Sequence, residues 1–234
     1  MSLCPVCEQG SLSDFRLVKA QRYLRCDVCE ATVMDASCRL SPEQEREIYQ
    51  LHDNDPSDPG YRTFLSKLTE PLLERLPSGA SGLDFGCGPG PALAQMLEAE
   101  GMAVSLYDPY FYPSAVALDQ TYDFITCTEV VEHLYAPAGV FRELDRMLKP
   151  GGWLGVMTCF QTDDDRFDNW HYRRDPTHVV FYREFTFKLL ANRFGWHLKY
   201  RERMWLCSGS QPRGLPLGTR EVQDTVPRMW CLLV

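Results

Sequence analysis

Hydrophobic residues follow two spacings along this chain, and the change between them predicts a mixed α/β fold. From Tyr61 to Leu76 the apolar side chains recur every three or four residues, which predicts an amphipathic helix. Short apolar runs follow at Gly82–Phe85, Ala103–Tyr107 and Tyr122–Thr126, and such runs are typical of buried strands. Because helical segments separate these strands, we expect parallel pairing with right-handed crossovers.

The same alternation continues toward the C-terminus and extends upstream as a short helix. Ser41 followed by Pro42 predicts a helix start, with the helix ending near His52 and a turn-rich loop following it. The later predicted elements are a helix over Val140–Leu148, a strand over Trp153–Thr158, a helix over Arg183–Phe194 and a strand over Trp196–Met204.

These elements divide the chain into four parts. The predicted parts are a separate N-terminal module over 1–40, a helical segment over 41–78, an α/β domain over 79–208 in which we call residues 161–182 the lid, and a tail over 209–234 in which Met229–Val234 is a candidate last strand.

Composition and charge narrow the class of protein. The net charge of −8 disfavours a nucleic-acid partner, because neutralising phosphates requires an excess of Lys and Arg. Residues 1–40 carry five basic and five acidic side chains, so this module is not a basic arm. No run of about twenty apolar residues predicts a membrane span. The first residues lack a signal-peptide pattern, so we expect a cytoplasmic protein.

Four of the ten cysteines form two closely spaced pairs. Cys4 and Cys7 are followed, after an eighteen-residue gap, by Cys26 and Cys29, which is the spacing of a structural tetrathiolate zinc site. A redox-active pair is the alternative, but two pairs at this spacing favour zinc. A shell of four thiolates leaves no open coordination position, so we expect structural Zn²⁺ without chemistry at the metal.

A glycine-rich turn joins the first predicted strand of the α/β part to its helix. Asp84 precedes Gly86, Gly88 and Gly90, and such a turn lets a ligand approach the backbone and the helix N-terminus. Asp108 ends the next strand, where a carboxylate in a βαβ unit can bind ribose hydroxyls. A dinucleotide site is the alternative. The acid before the first glycine favours a cationic ligand instead, and S-adenosylmethionine (SAM) carries an ammonium and a sulfonium.

These motifs resemble the class I SAM-dependent methyltransferases, and most closely those of the ubiquinone-biosynthesis type. The resemblance covers roughly residues 60–205. It rests on four segments: Leu83–Gly90, Val104–Pro109, Tyr122–His133 and Leu148–Gly152. It implies a Rossmann-like, seven-stranded sheet and SAM as cofactor. It also implies that 79–208 is the catalytic domain and that the segment 41–78 covers the cofactor site. The N-terminal module resembles zinc units of sugar C-methyltransferases and of some ribosomal RNA methyltransferases.

The resemblance also implies a set of cofactor-binding residues. It places Asp84 and the glycine turn against the methionine part of SAM, Asp108 against the ribose, and Thr128 and Glu129 beside the transferred methyl group. The stretch after Asp108 lacks the family's acidic residue near the adenine, and Leu118 or Asp119 is the candidate substitute. The complete predicted set is Asp84, Gly86, Cys87, Gly88, Gly90, Asp108, Pro109, Thr128, Glu129, Tyr61 and Arg62.

The acceptor side is predicted from two further segments. Glu132 and His133 follow the fourth strand, where His133 is a candidate base and packing at a helix end is the equal alternative. The lid mixes aromatic residues with Arg and His, which suits a flat or anionic acceptor. The alternative is that these aromatic side chains pack against one another inside the lid and the charged ones face water. His178 is a third catalytic candidate, and the predicted acceptor-binding residues are Trp170, Tyr172, Arg173 and Tyr182.

Three functions fit these features. Methyltransferases that act on amino groups of bases or glutamine often have Asn/Asp-Pro-Pro-aromatic after the fourth strand, whereas this chain has Thr126-Cys127-Thr128-Glu129. A small-molecule O- or C-methyltransferase is therefore the leading hypothesis. A zinc-containing RNA methyltransferase is the alternative, suggested by the N-terminal module and by Arg173-Arg174. A non-catalytic SAM-binding scaffold is the third.

Overall fold

A computed structural model describes residues 2–51, 54–201 and 204–208 of the chain. It contains a six-stranded sheet and a four-stranded sheet among these residues. The strands are β1 (Leu12–Val18), β2 (Gln21–Cys26), β3 (Thr32–Met34), β4 (Ser81–Phe85), β5 (Ala103–Tyr107), β6 (Tyr122–Thr128), β7 (Leu148–Met157), β8 (Val180–Phe181), β9 (His197–Arg201) and β10 (Met204–Ser208).

Six α-helices connect the strands or cover them. They are α1 (Pro42–Tyr49), α2 (Pro59–Leu73), α3 (Ala92–Ala99), α4 (Ala115–Leu118), α5 (Pro137–Met147) and α6 (Glu184–Phe194). The predicted start of α1 is confirmed, because the Ser41 hydroxyl accepts a hydrogen bond from the Gln44 amide and the Gln44 side chain bonds back to the Ser41 amide.

The large sheet determines where a ligand can bind. Its strand order is β5-β4-β6-β7-β10-β9, in which β5, β4, β6 and β7 are parallel and β10 runs antiparallel to both of its neighbours, β7 and β9. The chain passes from β4 to β5 on one side and then returns to place β6 on the other side of β4. This reversal creates a crevice at the carboxyl ends of β4 and β6, which is where open α/β sheets bind ligands.

The small sheet joins the N-terminal module to the lid. Its order is β1-β2-β3-β8, and β3 pairs with the lid strand β8 at Thr32–Phe181 and Val33–Val180. One hydrophobic core runs from Cys4 in the module to Cys207 in β10. The expected separateness of residues 1–40 is thereby corrected, whereas the predicted boundaries at 40, 78 and 208 stay predictions.

The predicted fold class is confirmed, with two corrections in detail. The segment Trp196–Met204 is not one strand, because it folds as the hairpin of β9 and β10. The described part of the large sheet has six strands rather than seven. Only the short helix α4 lies between Asp108 and Tyr122, and a parallel strand with its crossover needs a longer connection.

Two further expectations concern the ends of the chain and the membrane. The candidate last strand, Met229–Val234, lies outside the described residues. No helix in the described ranges is both long enough and apolar enough to span a bilayer.

Candidate functional site

The glycine turn forms one wall of a large cavity at the carboxyl ends of β4 and β6. Gly86 and Gly88 have φ angles of +77° and +64°, in the left-handed region that favours glycine. A Cβ on Gly86 would lie 2.4 Å from a methyl group of Val130, and one on Gly90 would lie 2.0 Å from the backbone oxygen of Asn54. Only glycine therefore fits at positions 86 and 90, because a side chain at either position would collide with Val130 or with the Asn54 backbone.

Asp84 lies beneath this turn and is almost fully buried, with 4% of its surface exposed. Its Oδ1 accepts a hydrogen bond of 2.8 Å from the Thr126 hydroxyl. Burial raises the pKa of Asp84 to about 6, and the negative charge of Asp108 adds to the rise, while hydrogen bonds from Thr126 and the Ala94 amide oppose it. The carboxylates of Asp84 and Asp108 are thus close enough to interact electrostatically.

Asp108 organises the glycine turn directly. Its Oδ2 accepts the Gly88 amide at 3.1 Å, and its Oδ1 accepts the amides of Tyr110 and Phe111 at 2.9 and 3.1 Å. A carboxylate accepts about four hydrogen bonds, so three backbone donors leave roughly one position, on Oδ2. This arrangement leaves Asp108 room for one further hydrogen-bond donor rather than for two.

The cavity has a volume of about 710 Å³ and extends well beyond the glycine turn. Of the predicted cofactor residues, Gly86, Cys87, Gly88, Asp108, Pro109, Thr128, Glu129 and Tyr61 line it. Asp84, Gly90 and Arg62 are not part of its lining, and neither are Leu118 and Asp119. Arg62 donates to the backbone oxygen of Pro56 at 3.3 Å, and its predicted contact with SAM stays a prediction.

Two polar atoms inside the cavity have no hydrogen-bond partner among the described residues. They are the Thr128 hydroxyl and the Tyr110 phenol oxygen, both inaccessible to water. Buried polar groups normally have partners, so two unpaired ones on residues that line a cavity are compatible with a polar ligand beside them. These atoms, together with the glycine turn, fit a nucleoside cofactor such as SAM.

Glu129 follows Thr128 in a strained conformation at the same end of β6. Its φ is +52°, which is uncommon for a residue with a side chain, and its amide donates to the Met157 backbone oxygen at 2.9 Å. Burial raises the pKa of Tyr61, and the charges of Asp84 and Glu129 contribute further. Tyr61, Asp84 and Glu129 therefore surround the same end of the cavity.

A group of three residues, which we call the Glu-His cluster, lies farther along the cavity. It consists of Glu132, His133 and His178, and one ligand atom of each lies within 4.8 Å of the others. Glu132 is completely buried. Its Oε1 accepts the Tyr172 hydroxyl at 2.5 Å and its Oε2 accepts the Thr158 hydroxyl at 3.0 Å.

Both histidines have one ring nitrogen against a backbone carbonyl. His133 Nδ1 lies 3.2 Å from the Thr177 oxygen, and His178 Nδ1 lies 2.8 Å from the Tyr172 oxygen. A carbonyl only accepts, so each Nδ1 carries a proton and the neutral ring has its lone pair on Nε2. The two rings meet edge to face with centroids 4.6 Å apart. The structure thus places the three predicted catalytic residues, Glu132, His133 and His178, in one cluster.

Burial raises the pKa of Glu132 well above its ordinary value, and the charge of Glu129 adds to the rise. Hydrogen bonds from Tyr172 and Thr158 to the carboxylate act in the opposite direction. Because Tyr172 also lies 3.1 Å from Glu129 Oε2, this phenol connects the two acids.

Three of the predicted acceptor-binding residues lie outside the cavity lining. The cavity is lined by Tyr172 but not by Trp170, Arg173 or Tyr182. Arg173 is buried and bonds to Gln21 and Tyr23 of β2 at 3.2 and 3.3 Å. Trp170 packs against the ring of Phe181, and the fully buried Tyr182 donates to the Val131 backbone oxygen at 2.8 Å. Arg173 thus attaches the lid to the N-terminal module, Trp170 packs within the lid, and Tyr182 attaches the lid to the segment after β6.

The sequence analysis missed several residues that line the cavity. Glu45 and Tyr49 of α1 face it, as do His171 and Asp175 of the lid. Glu45 is buried and accepts the Tyr49 hydroxyl at 3.1 Å, and burial raises its pKa. The available signal was an acid and an aromatic residue four positions apart on a short helix, which places both on one face.

The four cysteines of the N-terminal module form a second cluster. Cys4, Cys7, Cys26 and Cys29 are all buried, and their sulfur atoms lie within 4.8 Å of one another. The pairs Cys4–Cys29 and Cys7–Cys26 are each separated by 3.6 Å between sulfurs. Four sulfurs bound to zinc at about 2.3 Å in a tetrahedron stand about 3.8 Å apart, so the cluster fits a zinc ion.

Comparisons with known proteins agree with this geometry. A family model described as a methyltransferase domain matches residues 58–199, which is more than half of the chain. A ubiquinone biosynthesis O-methyltransferase of Sodalis glossinidius is 31% identical over 159 residues, covering 57% of this chain and 59% of the relative. The corresponding protein of Burkholderia vietnamiensis is 27% identical over 135 residues, covering 48% of this chain and 54% of the relative. The chain thus spans about half the length of the curated relatives it matches.

A solved structure shares the fold. It is the 1,6-didemethyltoxoflavin-N1-methyltransferase of Burkholderia thailandensis with bound 1,6-didemethyltoxoflavin and S-adenosylhomocysteine. It is 14% identical, with a TM-score of 0.51, and the match covers 85% of this chain and all of that one. The predicted resemblance is confirmed by the family match. The chain belongs to the class I SAM-dependent methyltransferases, as a member of the methyltransferase-domain family.

Proposed function

We propose that this chain transfers the methyl group of SAM to an oxygen or carbon atom of a small-molecule acceptor. The observation that carries the proposal is one continuous cavity. The glycine turn lines one end of it, and His133 and His178 of the Glu-His cluster line the other. A cofactor and an acceptor can therefore lie end to end, with Thr128 and Glu129 between them.

The predicted cofactor residues have distinct roles in this proposal. Asp84 acts through its negative charge on the ammonium end of SAM, from beneath the glycine turn. Asp108 Oδ2 accepts a ribose hydroxyl, while its other contacts hold the turn in place. Gly86, Cys87 and Gly88 bring the backbone close to the cofactor. Pro109, Tyr110 and Phe111 lie beside Asp108 along the cavity, where they suit the adenine.

Methyl transfer needs alignment more than it needs activation. The acceptor atom attacks the methyl carbon, the carbon–sulfur bond breaks, and its electron pair stays on sulfur, which leaves neutral S-adenosylhomocysteine. Holding nucleophile, methyl and sulfur in line is worth about 7–11 kcal/mol. A hydroxyl acceptor must also lose its proton, and the Glu-His cluster lies on the acceptor side where that loss occurs.

The residues after β6 support oxygen or carbon as the acceptor atom. The chain continues as Thr128-Glu129-Val130 rather than with the Asn/Asp-Pro-Pro-aromatic segment that binds amino groups in related enzymes. The relatives described above are named for ubiquinone biosynthesis, which supports a small molecule. No observation favours the RNA alternative, and the net charge of −8 opposes it.

We further propose that the four cysteines bind structural Zn²⁺ and that this ion stabilises the acceptor side of the cavity. The Thr186 hydroxyl donates to the backbone oxygen of Cys29 at 2.9 Å, and Arg193 donates to that of Cys7 at 2.6 Å. The zinc site is thus bonded to α6 as well as to the lid. The nine cysteines of the described residues are all free thiols, which supports the proposed cytoplasmic location.

The experiment is calorimetric titration with S-adenosylhomocysteine. Asp108→Ala removes the proposed ribose acceptor together with its contacts to the amides of Gly88, Tyr110 and Phe111, so we expect binding to weaken about 100-fold, the scale of one charge-assisted hydrogen bond. Asp119→Ala is the matched control, because Asp119 is exposed and lies outside the cavity lining. Equal affinity of parent and Asp108→Ala would remove the proposed cofactor site.

A further inference from the structure

We propose that the acceptor carries a positively charged nitrogen, which binds beside Glu45 and the rings of Tyr49 and Tyr110. The inference rests on the proposed function, since it concerns the acceptor in that same cavity. It names a substrate class: small molecules with a protonated or quaternary amine in addition to the atom that receives the methyl group.

The charge of the cavity lining is the first support. Among the described residues that line the cavity there are four carboxylates and no Lys or Arg. The carboxylates are those of Glu45, Asp108, Glu129 and Asp175, and the titratable cations are limited to His133, His171 and His178. A cavity lined mainly by one sign of charge attracts ligands of the opposite sign. SAM has a net charge of one, so its binding leaves carboxylates for a second cation.

The position of Glu45 is the second support. Only 3% of its surface is exposed, and its Oε1 accepts the Tyr49 hydroxyl at 3.1 Å. Burial raises the pKa of Glu45, hydrogen bonding by the phenols of Tyr49 and Tyr135 opposes the rise, and no Lys, Arg or His of the described ranges forms an ion pair with it. A buried carboxylate without a cation is costly, and a ligand cation beside Glu45 would offset that cost.

The aromatic side chains next to Glu45 are the third support. The rings of Tyr49 and Tyr110 both line the cavity, with centroids 5.7 Å apart. Aromatic faces attract ammonium groups within about 6 Å of the ring centroid, and several rings together are a common site for such groups. The Tyr110 phenol oxygen is inaccessible to water and has no hydrogen-bond partner among the described residues, so it can accept an N–H of the ligand.

The proximity of Tyr110 to Glu45 is visible in its ionisation. Burial raises the pKa of Tyr110 to about 12, and the negative charge of Glu45 is the next largest contribution. A carboxylate, two aromatic rings and an acceptor oxygen thus lie around one part of the cavity. Each of these groups interacts favourably with an ammonium group.

The same arrangement disfavours the anionic acceptor that the composition of the lid suggested. Arg173 is bonded to β2, and Arg174 is exposed and lies outside the cavity lining. Arg39 lies over the Tyr135 ring, 4.8 Å from its centroid, and is also outside the lining. An anionic acceptor would therefore meet the carboxylates of the cavity without a Lys or Arg of the described lining to bind it.

The test compares three probes on the full chain saturated with S-adenosylhomocysteine. Tyramine, tyrosol and 4-hydroxyphenylacetate each carry a phenol ring on a two-carbon chain, and at neutral pH they are positive, neutral and negative. In calorimetry we expect tyramine to bind at least about tenfold more tightly than tyrosol, and 4-hydroxyphenylacetate to bind more weakly still. Glu45→Gln should abolish the preference for tyramine over tyrosol. Glu47→Gln, an exposed position of the same helix outside the cavity lining, is the matched control and should retain it.

Binding of S-adenosylhomocysteine, measured on the same samples, separates the two proposals and shows that each variant is folded. If the parent binds S-adenosylhomocysteine but binds tyramine no more tightly than the other probes, whether all three bind or none does, the cation site is contradicted and the proposed function stands. A preference for tyramine that survives in a folded Glu45→Gln variant would contradict the site as well. Should that variant not fold, the order of the three probes on the parent decides. Failure of the parent to bind S-adenosylhomocysteine would instead contradict the proposed function.

Discussion

The two sides of the cavity are built in different ways. On the cofactor side, the contacts of Asp84, the glycine turn and Asp108 connect neighbouring strands of one parallel sheet. On the acceptor side, the lid is held by the N-terminal module, and the residues in contact lie more than a hundred positions apart, as in Thr32 with Phe181. The cofactor side can therefore stay intact when the acceptor side is disturbed, and that asymmetry can be tested.

Loss of zinc should have the largest effect. Cys26→Ser removes one of four buried ligands, and structural zinc sites contribute strongly to folding, so we expect an unfolding free energy lower by at least about 3 kcal/mol. For a chain of this size that corresponds to roughly 10 °C in Tm. Hydrogen exchange should rise most in the module and in the lid, residues 161–182. Cys38→Ser is the control, because Cys38 lies outside the cluster.

The prediction for Cys26→Ser is also a test of the asymmetry. At a temperature where the variant is still folded, we expect S-adenosylhomocysteine to bind within a few-fold of the parent. Equal protection of lid amides in parent and variant would show that the module does not stabilise the acceptor side.

Removal of Arg173 should have an intermediate effect. The Arg173 guanidinium is buried and donates to Gln21, to Tyr23 and to the backbone oxygens of Phe167 and Asp168. Arg173→Ala leaves these acceptors unpaired, so we expect a loss of about 2–4 kcal/mol in chemical denaturation. Arg174→Ala, at a neighbouring exposed position, should change stability by less than about 0.5 kcal/mol. Similar values for both variants would contradict the buried bridge between lid and module.

A pH dependence should produce the smallest effect, confined to the cofactor side. Because burial raises the pKa of Asp84 to about 6, its carboxylate becomes neutral as the pH falls below that value. Attraction to the ammonium of the ligand requires the charged form. Binding of S-adenosylhomocysteine should therefore weaken about tenfold from pH 7 to pH 5.

Asp84→Asn provides the comparison for this titration. Its affinity should be lower at pH 7 and nearly constant down to pH 5, since the side chain no longer ionises. Identical pH profiles for the parent and Asp84→Asn would assign the titration to a group other than Asp84.

The same difference between the cofactor side and the acceptor side explains which residues could be predicted from the sequence. Asp84, Gly86, Gly88 and Asp108 lie within 25 positions of one another, and their spacing reports a strand, a turn and a second strand. Local chain geometry alone places them together. The four cysteines were predictable for the same reason, because each pair is formed by one tight turn.

The acceptor side depends on information that no local pattern contains. Trp170, Arg173 and Tyr182 have the composition of a ligand-binding lid, yet Arg173 bonds to the N-terminal module, Trp170 packs on Phe181 and Tyr182 bonds to the Val131 backbone. Which face of the lid is buried depends on the pairing of β3 with β8, and a two-residue strand has no period to detect. Glu45 and Tyr49 were missed because nothing in the sequence of α1 states which element it packs against.

The most direct test of the central claim is the position of the cofactor sulfur in a crystal structure with S-adenosylhomocysteine. We predict a cofactor extended along Gly86–Gly88, with a ribose hydroxyl on Asp108 and the sulfur beside Thr128 and Glu129, directed toward His133. A cavity that holds the cofactor with its sulfur directed away from the Glu-His cluster, or that holds a dinucleotide in its place, would contradict the account.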